Sequence, residues 1–204
     1  MRVAAQDIDA VEAHELDWMR CGERGLLFET EHRRADGTVF PVEISGRALT
    51  DAQGVWYQAV IRDISDRRRL ESRMRLYSMV FETTGDAVLI TDERQRIIAV
   101  NPAFLQITGY TLDEVIGQTP RLLSSGRQDR EFYSRMWTVI ARTGHWQGEI
   151  WNRRKDGSVY PEWQHISAVQ DGSGRVTHYV AIFSDISERK ATEERINHLA
   201  QHDP

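Results

Sequence analysis

Cysteine is all but missing from this sequence: Cys21 is the only one in 204 residues. A lone thiol excludes an intramolecular disulfide framework and a zinc ribbon, and it suits a reducing compartment. Long apolar runs are missing too. Nothing approaches the ~18 consecutive apolar residues of a membrane span. The early acid at Asp7 does not fit a secretory signal peptide, so cytoplasm is the expected location. Basic charge is in the minority, with 26 Lys+Arg against 31 Asp+Glu and a net charge of −5. That balance argues against broad binding to nucleic acid or to an anionic membrane. The cluster Arg67-Arg68-Arg69 reads as a solvated helix start. Phosphate-binding glycine loops, a nucleophile elbow and a paired nucleophilic cysteine are absent, so no catalytic residue is assigned. His198 and His202 have helical i, i+4 spacing. No glutamate follows the first of them and no third ligand is near, so no metal site is assigned.

What is present is a repeat. The hydrophobic fraction of 40% and charged fraction of 28% fit a folded chain, and the length allows one large domain or two small ones. Arg33-Arg34-Ala35-Asp36-Gly37-Thr38-Val39-Phe40-Pro41 recurs 120 residues later as Arg153-Arg154-Lys155-Asp156-Gly157-Ser158-Val159-Tyr160-Pro161. Asp63-Ile64-Ser65-Asp66-Arg67 recurs 122 residues later as Asp185-Ile186-Ser187-Glu188-Arg189. Two ordered matches at nearly one offset imply a duplicated unit. The copies are unequal, because only 32 residues precede the first Arg-Arg-x-Asp-Gly turn. Residues 1–67 are therefore expected to be the C-terminal part of one unit, 68–84 a linker helix, 85–187 a complete second unit and 188–204 an output helix.

Local signals place the elements. Asp86–Thr91 and Arg96–Val100 are β-rich runs joined by a turn. Asn101-Pro102 starts a short helix, with Asn as N-cap and Pro at the first helical position, and Gly109 ends it. Asp129 starts a longer helix whose Phe132, Tyr133, Met136, Trp137 and Ile140 form one apolar stripe, and Gly144 ends that one. Strands follow over 146–154, 158–169 and 176–184, with Asp156-Gly157 and Asp171-Gly172-Ser173-Gly174 as turns. The first unit shows the equivalent end, with strands near 26–34, 39–49 and 55–62. This is an α+β pattern whose sheet needs helices on its apolar face. In the linker, Leu70, Met74, Tyr77 and Phe81 are spaced 4, 3, 4. That fits a short coiled-coil seam, or equally a helix packed on its own domain.

These residues resemble the PAS family of sensor domains. Asn101-Pro102-Ala103-Phe104, Thr108-Gly109-Tyr110, Glu114-Val115-Ile116-Gly117, the Arg153–Gly157 run and Asp185-Ile186-Ser187 match its pattern together. Residues 1–67 look like the end of a preceding copy. The resemblance implies a PAS fold: a five-stranded antiparallel sheet with helices on one face, flanked by linker helices. It also implies a ligand-sized pocket and signal output through Asp63 and through Asp185, Ile186 and Ser187, where strand meets output helix. The bland role of the two aspartates is to cap helix starts, and the two roles are compatible. His198-Leu199-Ala200-Gln201-His202-Asp203-Pro204 resembles the lead-in to a GGDEF diguanylate cyclase domain, which implies a catalytic domain downstream in cis and cyclic-di-GMP as its output. A histidine-kinase sensor is the alternative, although no phosphoacceptor-helix pattern is present.

The pocket chemistry is narrower. The photoactive flavin pattern Gly-x-Asn-Cys-Arg-Phe-Leu falls on Gly117-Gln118-Thr119-Pro120-Arg121-Leu122-Leu123, with Pro120 where the adduct-forming cysteine belongs, so cysteinyl photochemistry is excluded. Non-photochemical FAD remains. Trp146 to Lys155 resembles the strand of flavin-binding redox PAS domains, where an aromatic near Trp146 and an asparagine at Asn152 lie at the flavin. An Asn amide offers donor and acceptor to an isoalloxazine edge. Trp146 and Trp151 differ by five and so face opposite sides of a strand, which makes at least one of them core or interface. Glu162 departs from the photoactive pattern, which places a second flavin-contacting Asn there; Trp146, Asn152 and Glu162 form the candidate pocket. Haem is disfavoured, because residues 101–144 contain no histidine to serve as axial ligand and only His145 and His165 remain. The expected function is a homodimeric sensory module that receives a small-molecule, redox or partner signal. The alternative is a ligand-free dimerisation scaffold, whose pocket is filled by Phe104, Phe132, Trp137 and Phe183.

Overall fold

The computed structural model describes residues 26–52 and 54–201. Cys21 with the rest of the N-terminal stretch, and His202-Asp203-Pro204, lie outside the described residues, as does the expected helix-like start of the first unit. The chain divides into two compact units, Met1–Tyr77 and Ser78–Pro204.

In the first unit β1 (Leu26–Arg33), β2 (Val39–Asp51) and β3 (Gly54–Asp63) form an antiparallel sheet in that order. Asp36-Gly37 makes the first turn as its sequence requires: Asp36 Oδ1 accepts the Thr38 N–H at 2.9 Å, and Gly37 has φ +88°, a region glycine enters without a Cβ clash. Helix α1 (Ser65–Thr83) follows, starting three residues before the linker expectation. No residue of α1 is buried. Leu70, Met74 and Tyr77 are more than half exposed and Phe81 is intermediate, so the seam is not a core face.

The second unit runs β4 (Ala87–Asp92), β5 (Ile97–Val100), α2 (Pro102–Thr108), α3 (Leu112–Val115), a 3-10 turn (Pro120–Leu123), α4 (Arg130–Thr143), β6 (His145–Arg153), β7 (Val159–Gln170), β8 (Val176–Asp185) and α5 (Ser187–Gln201). Its five strands are antiparallel in the order β5-β4-β8-β7-β6. The fold is therefore α+β with a five-stranded antiparallel sheet, as expected. β5 and β6 are opposite edges, so the chain between them must cross the sheet. It carries α2, α3 and α4 over one face and buries Leu89, Phe104, Val115, Met136, Ile140 and Phe183 beneath them.

Sequence caps hold these helices. Asp129 accepts the Phe132 N–H at 2.8 Å, and Gly109 and Gly144 close α2 and α4 in the left-handed region. Asn101 does more than cap. Its Oδ1 accepts from Phe104 N at 3.0 Å and from Val88 N at 2.8 Å, and its Nδ2 donates to Asp86 O at 2.9 Å. It thereby ties the start of α2 to strand β4 while fully buried. Asn101→Ala would orphan two buried N–H groups and lose a cap, a cost of about 2–4 kcal/mol. The expected result is a lower urea midpoint with an unchanged slope.

Candidate functional site

The inner face of the sheet and the crossing helices enclose a cavity of about 650 Å³, a size that suits a small organic ligand or cofactor. Strand alternation selects its floor. Ile150 and Asn152 come from β6, Gln164 and Ile166 from β7, Tyr179 and Ala181 from β8, all at same-face positions. Helix α4 adds Tyr133, Met136 and Trp137, and Trp137 meets Tyr179 edge-on with ring centroids 5.2 Å apart. The 3-10 turn adds Pro120, Arg121 and Leu123. Phe104 and Phe183, expected as pocket fillers, instead pack on each other at 5.9 Å and are absent from the lining, as is Phe132. The filled-pocket alternative is corrected accordingly.

The wall is mostly apolar, with unused polar capacity. Asn152 Nδ2 donates to Glu162 Oε1 at 2.9 Å, while no donor reaches its Oδ1 among the described residues. The Gln164 amide makes no hydrogen bond among them either. Arg121 and Arg130 stand at the wall without an ion-pair partner among the described residues. Backbone pairing fixes Asn152: Ser124 bridges to it, and Arg153 Nη2 donates to Ser125 O at 2.6 Å.

Of the three pocket residues expected from sequence, only Asn152 lines the cavity. Glu162 lies behind Asn152, fully buried. Trp146 points to the inner face but leaves the lining: it packs edge-on against Phe132 at 6.0 Å, and its indole lies across Gly148, where a Cβ would meet it at 2.7 Å. The glycine two residues on gives the ring room to lie flat. Trp151 faces the opposite side of the sheet, between the Arg127 guanidinium at 4.0 Å and Lys190 Nζ at 5.3 Å. His145 and His165 are stacked on that outer side with ring centroids 6.3 Å apart, and neither is at the cavity.

The residues expected from sequence to carry output form a corner. Arg154 Nη1 donates to the Ile107 carbonyl at the end of α2, and Nη2 to Asp185 Oδ2. The guanidinium also covers the Tyr160 ring at 3.9 Å. Asp185 Oδ1 accepts the Ser187 N–H at 2.9 Å and its hydroxyl at 2.6 Å. Ile186 is buried, with its N–H on Pro161 O at 3.0 Å. Lys190 then joins α5 to Glu149 at 2.5 Å. Burial opposes the charge on Asp185, yet Ser187 and Arg154 hold its carboxyl below the ordinary range. The first unit repeats the corner: Arg34–Asp63 at 2.8 Å, Asp63 Oδ1 to Ser65 N at 2.9 Å, Ile64 N to Pro41 O at 3.1 Å, Arg34 over Phe40 at 4.3 Å and Arg68–Glu29 at 2.7 Å. Arg154 and Tyr160 were missed as site residues, although the repeated Arg-Arg-x-Asp-Gly run already marked both. Gln164 had no such signal, because its role depends on strands far apart in the chain.

The PAS domain family model matches residues 5–66 and 85–188. The chain belongs to the PAS domain family. It is 38% identical over 125 residues to a nitrogen fixation regulatory protein of Klebsiella oxytoca, covering 61% of this chain and 25% of that protein. It is 34% identical over 91 residues to a blue-light-activated histidine kinase of Brucella ovis, covering 45% of this chain and 19% of that one. The matches thus span a quarter or less of these relatives' length. A solved structure described as "Flavin Analogue Sheds Light on Light-Oxygen-Voltage Domain Mechanism" superposes with a TM-score of 0.51 at 27% identity, covering 62% of this chain and 96% of that chain. No helix among the described residues is long and apolar enough to cross a membrane.

Glu162 carries a pH signature. Burial raises its carboxyl to about 7 from an ordinary 4.5, against the lowering pull of Tyr160 and Asn152. Between those values the native state holds a proton that the unfolded state has released, so stability falls as pH rises from about 4.5 to 7 and levels off above. The full displacement is worth on the order of 3 kcal/mol. Glu162→Gln keeps an oxygen for Asn152 and removes the titration. Unfolding of the variant is expected to vary less with pH than wild type by about 2–3 kcal/mol between pH 5 and 8.

Proposed function

We propose that this chain is a tandem PAS sensory module whose second unit binds a flavin-type cofactor and whose helices carry the signal to a regulated domain in cis. The observation that carries this reading is the cavity, with Asn152 and Gln164 hydrogen-bonding capacity unused and two arginines unpaired among the described residues. Amide groups suit the donor–acceptor edge of an isoalloxazine. Tyr133, Trp137 and Tyr179 offer aromatic walls to a planar ring. Arg121 and Arg130 suit phosphate. Such a cofactor supplies a redox centre whose hydrogen-bonding edge changes with oxidation state. Pro120, at the wall where photoactive relatives of the pattern need a thiol, makes the response redox or ligand-driven instead of adduct-forming. The flavin analogue named with the solved neighbour supports the same class of ligand.

In this reading residues 1–67 are the C-terminal part of the first PAS copy, 68–84 the linker, 85–187 the second copy and 188–204 the output helix. The corners at Asp63 and Asp185 set the direction in which each helix leaves. The run from Leu199 to Pro204 supports a diguanylate cyclase downstream, and the Brucella relative supports a histidine kinase in that position. The exposed seam of α1 supports a homodimer. Any ligand acts by binding one of two helix arrangements better.

The purified protein mixed with FAD is expected to give a flavin spectrum that survives gel filtration, and Arg121→Ala with Arg130→Ala to release the nucleotide more readily. A colourless protein after reconstitution argues against flavin and for an uncoloured ligand. Tyr77→Asp with Phe81→Asp is expected to shift the particle mass by light scattering from dimer to monomer. An unchanged dimer would remove the seam from the reading.

A further inference from the structure

The two units provide an internal control. Register pairs His32 with Phe40, and Val42 with Asp63. In the second unit it pairs Asn152 with Tyr160, and Glu162 with Asp185. The corner forms in both, so neither the Glu162 carboxyl nor the Tyr160 hydroxyl is required to build it. Val42 fills the same place, also fully buried. A buried carboxyl costs stability where a valine does not. Glu162 has no ion pair among the described residues; its Oε2 and the Tyr160 hydroxyl are both buried with no well-formed hydrogen bond among them, yet the hydroxyl is close enough to lower the carboxyl. The charged groups that face it are Arg154 from the β6–β7 turn and Asp185 from β8, with Tyr160 on its own strand. Helix α2, packed at the same corner, carries no titratable side chain.

We propose that Glu162 is a positioning residue that sets how Asn152 addresses the cavity, so that its ionised form selects a ligand presenting an N–H or O–H donor to Asn152 Oδ1. The proposal deepens the ligand-binding reading above and rests on it for the probe. With Glu162 ionised, the Nδ2–H bond is charge-assisted; it fixes the amide with Oδ1 free and polarises that oxygen into a better acceptor. With Glu162 neutral the bond weakens, and the amide is free to rotate and show either end. Burial places this exchange near neutral pH. A donor-bearing ligand therefore binds the deprotonated protein better and releases a proton on binding. The first unit, with His32 and Val42 in these places, has no such linkage.

The test is a FAD titration of the full chain from pH 5.5 to 8.5. The dissociation constant is expected to fall roughly three- to tenfold as pH rises, since release of one proton allows at most about tenfold per pH unit. Glu162→Gln should flatten the curve, and flavin methylated at N3 should lose the dependence in the wild type. Equal pH dependence in wild type and variant would overturn the proposal. Nitrogen-15 NMR of the ligand-free protein separates this from failure of flavin to bind. The Asn152 side-chain amide should titrate near neutral pH in wild type and at a higher midpoint in Tyr160→Phe, a variant that copies the first unit's Phe40. An Asn152 signal indifferent to pH while the Glu162 carboxyl titrates would sink the proposal, whatever the flavin result.

Discussion

One guanidinium ties the second unit's exit together. Arg154 sits at the turn between β6 and β7, yet it reaches the Ile107 carbonyl near the end of α2, the last residue of β8 and the face of Tyr160. Its ion pair with Asp185 is about a quarter exposed on each side, so the net energy is modest. Its value is geometric. With Oδ2 held by Arg154, Oδ1 is left to cap Ser187, and the first turn of α5 is fixed by the same carboxylate that closes the sheet. Any change in the direction of α5 must break the cap, the Ile186–Pro161 bond or the Lys190–Glu149 pair. The Arg34–Asp63 corner of the first unit obeys the same rule at the start of α1.

The cavity follows from topology more than from any one side chain. β8, last in the chain, lies beside β4, first in the second unit, so β5 and β6 become the edges and the intervening helices must span the sheet. Two pairs of large rings sit at either side of that span. Phe104 and Phe183 close the end near α2, while Trp146 and Phe132 close the end near the start of β6. Between them the floor carries Ile150, Ile166 and Ala181 beside the ring of Tyr179, and these leave the gap open. Polar atoms fall within it at Asn152 and Gln164. An unfilled apolar gap loses dispersion contacts, and half-satisfied amides lose hydrogen bonds. Both losses are recoverable by a ligand of matching shape and polarity.

Local chemistry was readable in advance wherever a short stretch decides the outcome. Asn101 and Asp129 as caps, Gly109 and Gly144 as stops, and the stripe on α4 all depend on neighbours within a few residues. Strand limits moved by one or two residues, as at β2, which extends to Asp51, and α1 began at Ser65 because Asp63 caps it. The cavity wall was harder to foresee. It draws two residues from each of four strands and more from α4 and the 3-10 segment, and no spacing rule reports which same-face residue is nearest the gap. Trp146 shows the limit: strand parity correctly put it opposite Trp151, but only the three-dimensional packing showed that Gly148 and Phe132 hold its ring away from the cavity.

The repeated corner separates what the fold needs from what it does not. Residues that agree between the copies, Asp with Arg, Ser after the aspartate, a buried Ile, and Glu with a cation on the helix, are those that build the corner, and they build it twice. Residues that differ, His32 against Asn152, Phe40 against Tyr160 and Val42 against Glu162, lie one layer inside it. Had stability alone governed that layer, the apolar set of the first unit would serve both, because a carboxyl buried without an ion pair raises the free energy of the folded state. A costly group that the fold does without in one copy is retained in the other for what it does to its neighbour. Here that neighbour is Asn152, the residue that shares Glu162's hydrogen bond and faces the cavity.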